Sequence, residues 1–79
     1  MKIEVRLFAT LRDKAPAGSK KGVFFSAFPE KSTVADVLSS LQITPSEVHM
    51  IMINGVLGTI EDELKDEDRI GLFPPVGGG

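Results

Sequence analysis

The chain has 79 residues, a formal net charge of −2, no cysteine and a single histidine. A length of this order predicts one domain with a small core, burying only about 60–65% of the unfolded chain's surface. The missing cysteines exclude thiol nucleophiles, iron–sulfur clusters and thiolate zinc sites, and one histidine excludes a multi-histidine metal centre within a single chain. Without a basic block, Trp or Tyr, no nucleic-acid partner is expected.

Residues 2–8, KIEVRLF, open with alternation: Ile3, Val5 and Leu7 fall on one face, and Lys2, Glu4 and Arg6 on the other. This pattern predicts a half-buried strand, with Phe8 placing an aromatic ring on the polar face. The charges within this segment argue against a signal peptide, and no apolar run reaches the ~20 residues of a membrane span, so a cytoplasmic location with no membrane partner is expected. Residues 9–22 contain Pro16, Gly18, Gly22 and several lysines and read as a loop. Residues 23–28, VFFSAF, predict a second strand antiparallel to the first. Its register is open between two faces, and an inward Phe24 and Phe28 is preferred, at the cost of exposing Phe25.

Thr33 followed three residues later by Asp36 resembles a capping box, with Asp in place of the usual Glu or Gln. Val34, Val37, Leu38 and Leu41 then form one apolar stripe on a helix of about ten residues. Thr44-Pro45-Ser46-Glu47 repeats a helix-start pattern with room for one turn. Residues 48–53, VHMIMI, are apolar on both alternating sets and predict a third strand, either covered on both sides or with one face near a partner. Asn54-Gly55 is a hairpin signal, and Val56-Leu57 would begin a short return strand. The segment 61–68, EDELKDED, lacks calcium-loop spacing and reads as a solvated acidic loop with Leu64 plugging the core. His49 reads as an ordinary strand residue and Met50 and Met52 as core filler. Residues 69–73 form the last strand, with Ile70 and Leu72 inward. One helix must cover one face of a mixed sheet, with the last strand parallel to the first at its centre. This is the α+β arrangement called the β-grasp, with a body over residues 1–73 and a tail over 74–79.

With that order established, four stretches carry a resemblance: RLFATLRD at 6–13, STVADVLSSL at 32–41, INGV at 53–56 and DEDRIGLFPPVGGG at 66–79. Together they resemble the MoaD/ThiS family of ubiquitin-like sulfur carriers, nearest the branch that supplies the small subunit of molybdopterin synthase. The resemblance implies a single ubiquitin-like sulfur carrier domain over residues 1–79. Such a chain is not itself an enzyme and binds no cofactor. Its C-terminal carboxylate, here Gly79, is adenylated by an ATP-dependent activating enzyme of the MoeB/ThiF type. A sulfur donor converts the adenylate to a thiocarboxylate. The sulfur then passes to an acceptor, either the large subunit of molybdopterin synthase or, in the thiamine branch, thiazole synthase. The same terminus could instead be conjugated to other proteins. Gly77 stands where the molybdopterin branch often has Ser or Thr, which blurs the choice of branch.

The residues suit that chemistry. A carrier without cysteine must hold sulfur on another atom, and the carboxyl of Gly79 is unbranched and terminal. Pro74 and Pro75 fix φ near −65° and remove two N–H donors, giving a stiff stem. Val76 continues it, and Gly77, Gly78 and Gly79 give a thin thread suited to a narrow tunnel. The six residues beyond Phe73 reach at most ~20 Å. Phe8, Leu57 and Phe73 are the apolar residues least explained by a core; by resemblance they match hydrophobic docking positions, and Arg12 matches a position that contacts an acidic partner. A plain interaction module with an inert tail is the reading of a different class.

Overall fold

The computed structural model describes residues 1–75. Five strands, β1 (Lys2–Leu7), β2 (Val23–Ala27), β3 (Met50–Ile53), β4 (Val56–Gly58) and β5 (Arg69–Phe73), form one sheet in the order β2-β1-β5-β3-β4. β5 runs parallel to β1 and antiparallel to β3; the other neighbouring pairs are antiparallel. The helix α1 (Val34–Ser40) covers one face. A mixed sheet with a single α-helix and a parallel central pair is the β-grasp expected from the order of elements.

Alternation sets the core. Ile3, Val5 and Leu7 of β1, Ile70 and Leu72 of β5 and Ile51 of β3 are buried beneath Val34, Val37 and Leu38 of α1. Phe24 and Phe28 pack against this cluster, while Phe25 is 59% exposed, as the preferred register of β2 requires. Thr33 caps α1 in the expected way: its backbone N–H donates to Asp36 Oδ2 at 2.8 Å, and the Asp36 N–H donates to Thr33 Oγ1 at 3.4 Å. Asn54 and Gly55 both have positive φ, 51° and 82°, the geometry of a tight hairpin turn that glycine adopts without strain. Leu64 plugs the core from its loop.

Four expectations need correction. Met50 and Met52 are not core filler: Ile51 is the buried residue of β3, and the two methionines are half-buried beside Phe73 and Gly71 on the opposite face. Residues 9–14 are not loop but a six-residue 3-10 helix, Ala9–Lys14, which buries Leu11. Ala9 enters it at φ 51°, and so short an element has no periodicity to announce it. The third strand begins at Met50 rather than at residue 48; the single turn Pro45–Glu47 precedes it, and the His49 N–H donates to the Phe73 carbonyl at 2.7 Å. α1 has seven residues rather than about ten, because the chain turns at Gln42 (φ 58°) to bury Ile43.

Leu38 is buried at the centre of the helix–sheet contact. Leu38→Ala should cost about 2–5 kcal/mol through lost burial and a residual cavity. Domains of this size have roughly 4–12 kcal/mol of total stability. Urea unfolding should therefore show the midpoint lowered by a sizeable fraction of its wild-type value with the m-value kept.

Candidate docking face and tail base

The face of the sheet away from α1 has no helix over it among the described residues, and its side chains follow from register. Leu7 pairs with Leu72, so Phe8 and Phe73 are next to each other just beyond that pair. Their rings stack with centroids 4.2 Å apart and planes 5° from parallel. Phe73 also pairs with Met50. One step along the strands, Arg6 pairs with Gly71, Gly71 with Met52, and Met52 with Leu57. A further step pairs Phe25 with Glu4 and Glu4 with Arg69.

Gly71 leaves a dimple in this face. A Cβ there would lie 3.3 Å from the Phe8 ring and 3.5 Å from the Phe73 ring. Arg6, Phe8, Met52, Gly55, Arg69 and Phe73 surround the resulting pocket of about 170 Å³. Leu57 stands at the edge of the same face and is 69% exposed. Phe25 is two strands away from β5, with the Lys2 ammonium 4.8 Å from its ring centroid. The structure thus brings Phe8 and Phe73 together and places Leu57 on their face. Arg12 does not border the Gly71 pocket; it belongs to the 3-10 helix, and its stem lies close to Gly22.

The stem leaves the sheet at Phe73. Pro74 and Pro75 each line two grooves. One is lined by Phe8, Ala9, His49, Met50 and Phe73, and the other by Ala9, Thr10, Leu11, Lys14 and Glu47. Neither proline has an N–H to continue the ladder, so β5 ends where they begin. The expected roles of Val76, Gly77, Gly78 and Gly79 lie outside the described residues. Among the described residues no His, Cys, Asp and Glu side chains converge as a metal site, and no helix is long and apolar enough to cross a membrane.

Glu47 borders the second groove. Its carboxylate is held below the ordinary range, first by the Thr44 backbone N–H at 2.8 Å, then by the Thr44 hydroxyl, with Lys14 adding a smaller attraction. A lowered folded-state value means that Glu47 stabilises the fold fully above its ordinary value of 4.5 and loses that contribution as pH falls below it. Glu47→Gln should flatten the acid limb of a stability–pH curve below that value and leave its neutral slope unchanged, as read from urea midpoints.

Among the described residues, a five-stranded mixed sheet, one α-helix and a proline stem issuing from the central strand define a ubiquitin-like β-grasp protein. The chain belongs to the ThiS family, whose model matches residues 5–79. Solved structures agree. The small archaeal modifier protein 1 of Methanosarcina acetivorans is 30% identical, with a TM-score of 0.70 over 99% of this chain and 96% of that one. The Haloferax volcanii small archaeal modifier protein 1 is 27% identical, with a TM-score of 0.73 over 95% and 98%. A chain from the complex of subunits 1 and 2 of the molybdopterin-converting factor of Helicobacter pylori 26695 is 29% identical, with a TM-score of 0.62 over the full length of both. No protein with a curated function matches the chain.

The sequence pointed to Phe8, Leu57 and Phe73 but missed Arg6, Arg69 and Gly71 as neighbours of the stack. Their only signal was the alternation of the first and last strands, which becomes informative once those strands are set parallel and in register.

Proposed function

We propose that this protein is a sulfur carrier for molybdopterin biosynthesis and acts through the carboxyl end at Gly79. The observation that carries the proposal is the coupling of a cysteine-free chain to a family match that runs through PPVGGG to Gly79. In this reading a carboxylate oxygen of Gly79 attacks the α-phosphate of ATP on an activating enzyme and pyrophosphate leaves. Sulfide-level sulfur from a donor then attacks the acyl carbon and displaces AMP, leaving a thiocarboxylate. The Phe8–Phe73 stack, Leu57 and Arg12 dock the carrier, and Pro74 to Gly78 thread the terminus into the partner's site. The chain contributes position and a reactive end, and the catalytic groups belong to its partners. It works in the cytoplasm as one domain and needs no bound cofactor, since ATP is consumed by the activating enzyme. The complex of subunits 1 and 2 in Helicobacter pylori supports a large-subunit acceptor.

The test is intact-mass measurement after incubation with ATP, the activating enzyme and a sulfur donor. One oxygen replaced by sulfur at Gly79 is the expected product; absence of any adenylate on Gly79 would sink the reading.

Two other readings use the same terminus. Likeness to two small archaeal modifier proteins favours conjugation of the same activated end to lysines. Isopeptide-linked GGG remnants on cellular proteins would establish it. The matched family takes in the thiamine branch of the resemblance as well, so sulfur delivery to thiazole synthesis is the other alternative. Transfer of sulfur to a thiazole synthase rather than to a molybdopterin synthase large subunit would assign that branch.

A further inference from the structure

The open face of the sheet differs in charge from the molecule as a whole. The chain carries −2 overall. On the strand positions of this face, Lys2, Arg6 and Arg69 stand against Glu4 alone. Glu4 is engaged by Arg6, whose Nε donates to its Oε2. Glu4 is also the register partner of Arg69, but among the described residues no carboxylate lies within ion-pair distance of the Arg69 side chain. Arg69 is held by its backbone instead: its N–H donates to Asn54 Oδ1 at 2.9 Å, and its carbonyl accepts from the Asn54 N–H at 2.8 Å. The guanidinium is thus presented on a pinned backbone, beside the dimple that Gly71 leaves between the aromatic stack and Met52.

We propose that Arg69, with Arg6 across Gly71, selects the activating enzyme by binding an acidic side chain which that enzyme seats in the dimple. The proposal rests on the reading of this face as the docking surface and adds the chemistry of what docks. An apolar floor with a cationic rim suits a side chain that ends in a carboxylate. One more anion balances the row Arg6–Glu4–Arg69 and leaves Lys2, over the Phe25 ring, as the remaining cation of the face. The acidic remainder of the chain repels an approaching carboxylate elsewhere, so the field favours its approach to this face.

The test is ATP–pyrophosphate exchange by the activating enzyme of the same organism, with the full-length chain as the varied substrate. Arg69→Glu should raise KM for the carrier about tenfold or more, and Arg69→Gln about threefold, with kcat unchanged, because a rim charge acts on encounter rather than on chemistry. Arg69→Lys should restore most of the loss. The wild-type KM should climb with added NaCl, and that of Arg69→Glu should not. Circular dichroism of each variant confirms the fold, which the exposed side chain of Arg69 should not disturb. Phe73→Ala serves as the control for the face itself. If Phe73→Ala raises KM while Arg69→Glu matches wild type, the carboxylate is wrong and the docking face stands. If neither variant moves KM, both fall.

Discussion

A chain extended by one phenylalanine beyond Gly79 should fold as well as the wild type and carry no sulfur to the acceptor. The proposed reacting carbon is the α-carboxyl of Gly79. One added residue shifts the carboxylate by about 3.5 Å along an extended thread. It also adds a side chain where three glycines in a row leave none. A displacement of 1 Å from reacting geometry costs about a hundredfold in rate, so transfer should fall below about 1% of wild type. Thermal unfolding should be unchanged, because among the described residues the buried core extends no further than Leu72. The readout is product formation by the acceptor, with intact mass reporting whether the carrier was thiocarboxylated. An extended chain that still delivers sulfur would show that the free end of Gly79 is not the working group. Deletion of Gly78 and Gly79 makes the complementary measurement. It should likewise abolish transfer, whereas an interaction module with an inert tail would keep all of its activity.

The second large effect belongs to the aromatic stack. Phe8→Ala and Phe73→Ala should each weaken partner binding by about a hundredfold, near 3 kcal/mol, the range of a central aromatic hot spot. Each removes one ring of a pair with centroids 4.2 Å apart and opens the dimple over Gly71. Both rings are half-buried. The cost to folding should therefore stay at about 1–2 kcal/mol, made of lost stacking and partial burial. Leu57→Ala provides the contrast. That side chain is 69% exposed on the edge strand, so its loss should leave stability within about 0.5 kcal/mol. Any change in its affinity then reports the interface alone. Calorimetric titration against the activating enzyme, paired with urea unfolding of each variant, separates the two quantities. Wild-type affinity in both phenylalanine variants would remove this face from the proposed docking surface.

The same stack marks the limit of what adjacent residues could reveal. Phe8 breaks the alternation of its strand and Phe73 precedes two prolines, so both were visible as apolar residues without an assigned place in the core. Their stacking on each other was not visible. It requires β5 to enter the sheet between β1 and β3, beside a strand from the opposite end of the chain. A parallel register of that kind is set by the burial of Ile70 and Leu72 against Ile3, Val5 and Leu7, not by any local pattern. Arg6, Arg69 and Gly71 depend on the same register, and each alone reads as an ordinary strand residue.

What the amino-acid order determined by itself is everything written within a few consecutive positions. The Thr33–Asp36 cap and the apolar stripe of α1 are of this kind, as are the Asn54-Gly55 turn, the alternation of the first and last strands and the prolines that end the ladder. Those signals suffice for the element order and hence for the β-grasp, because a single amphipathic helix has only one face of a sheet on which to pack. Tertiary structure alone decided the 3-10 helix at Ala9–Lys14, the late start of β3, the burial of Ile43 and the cationic dimple over Gly71. In each case burial and cross-strand neighbours supply the energy. Both are properties of residues far apart in the chain, which no short window of sequence contains.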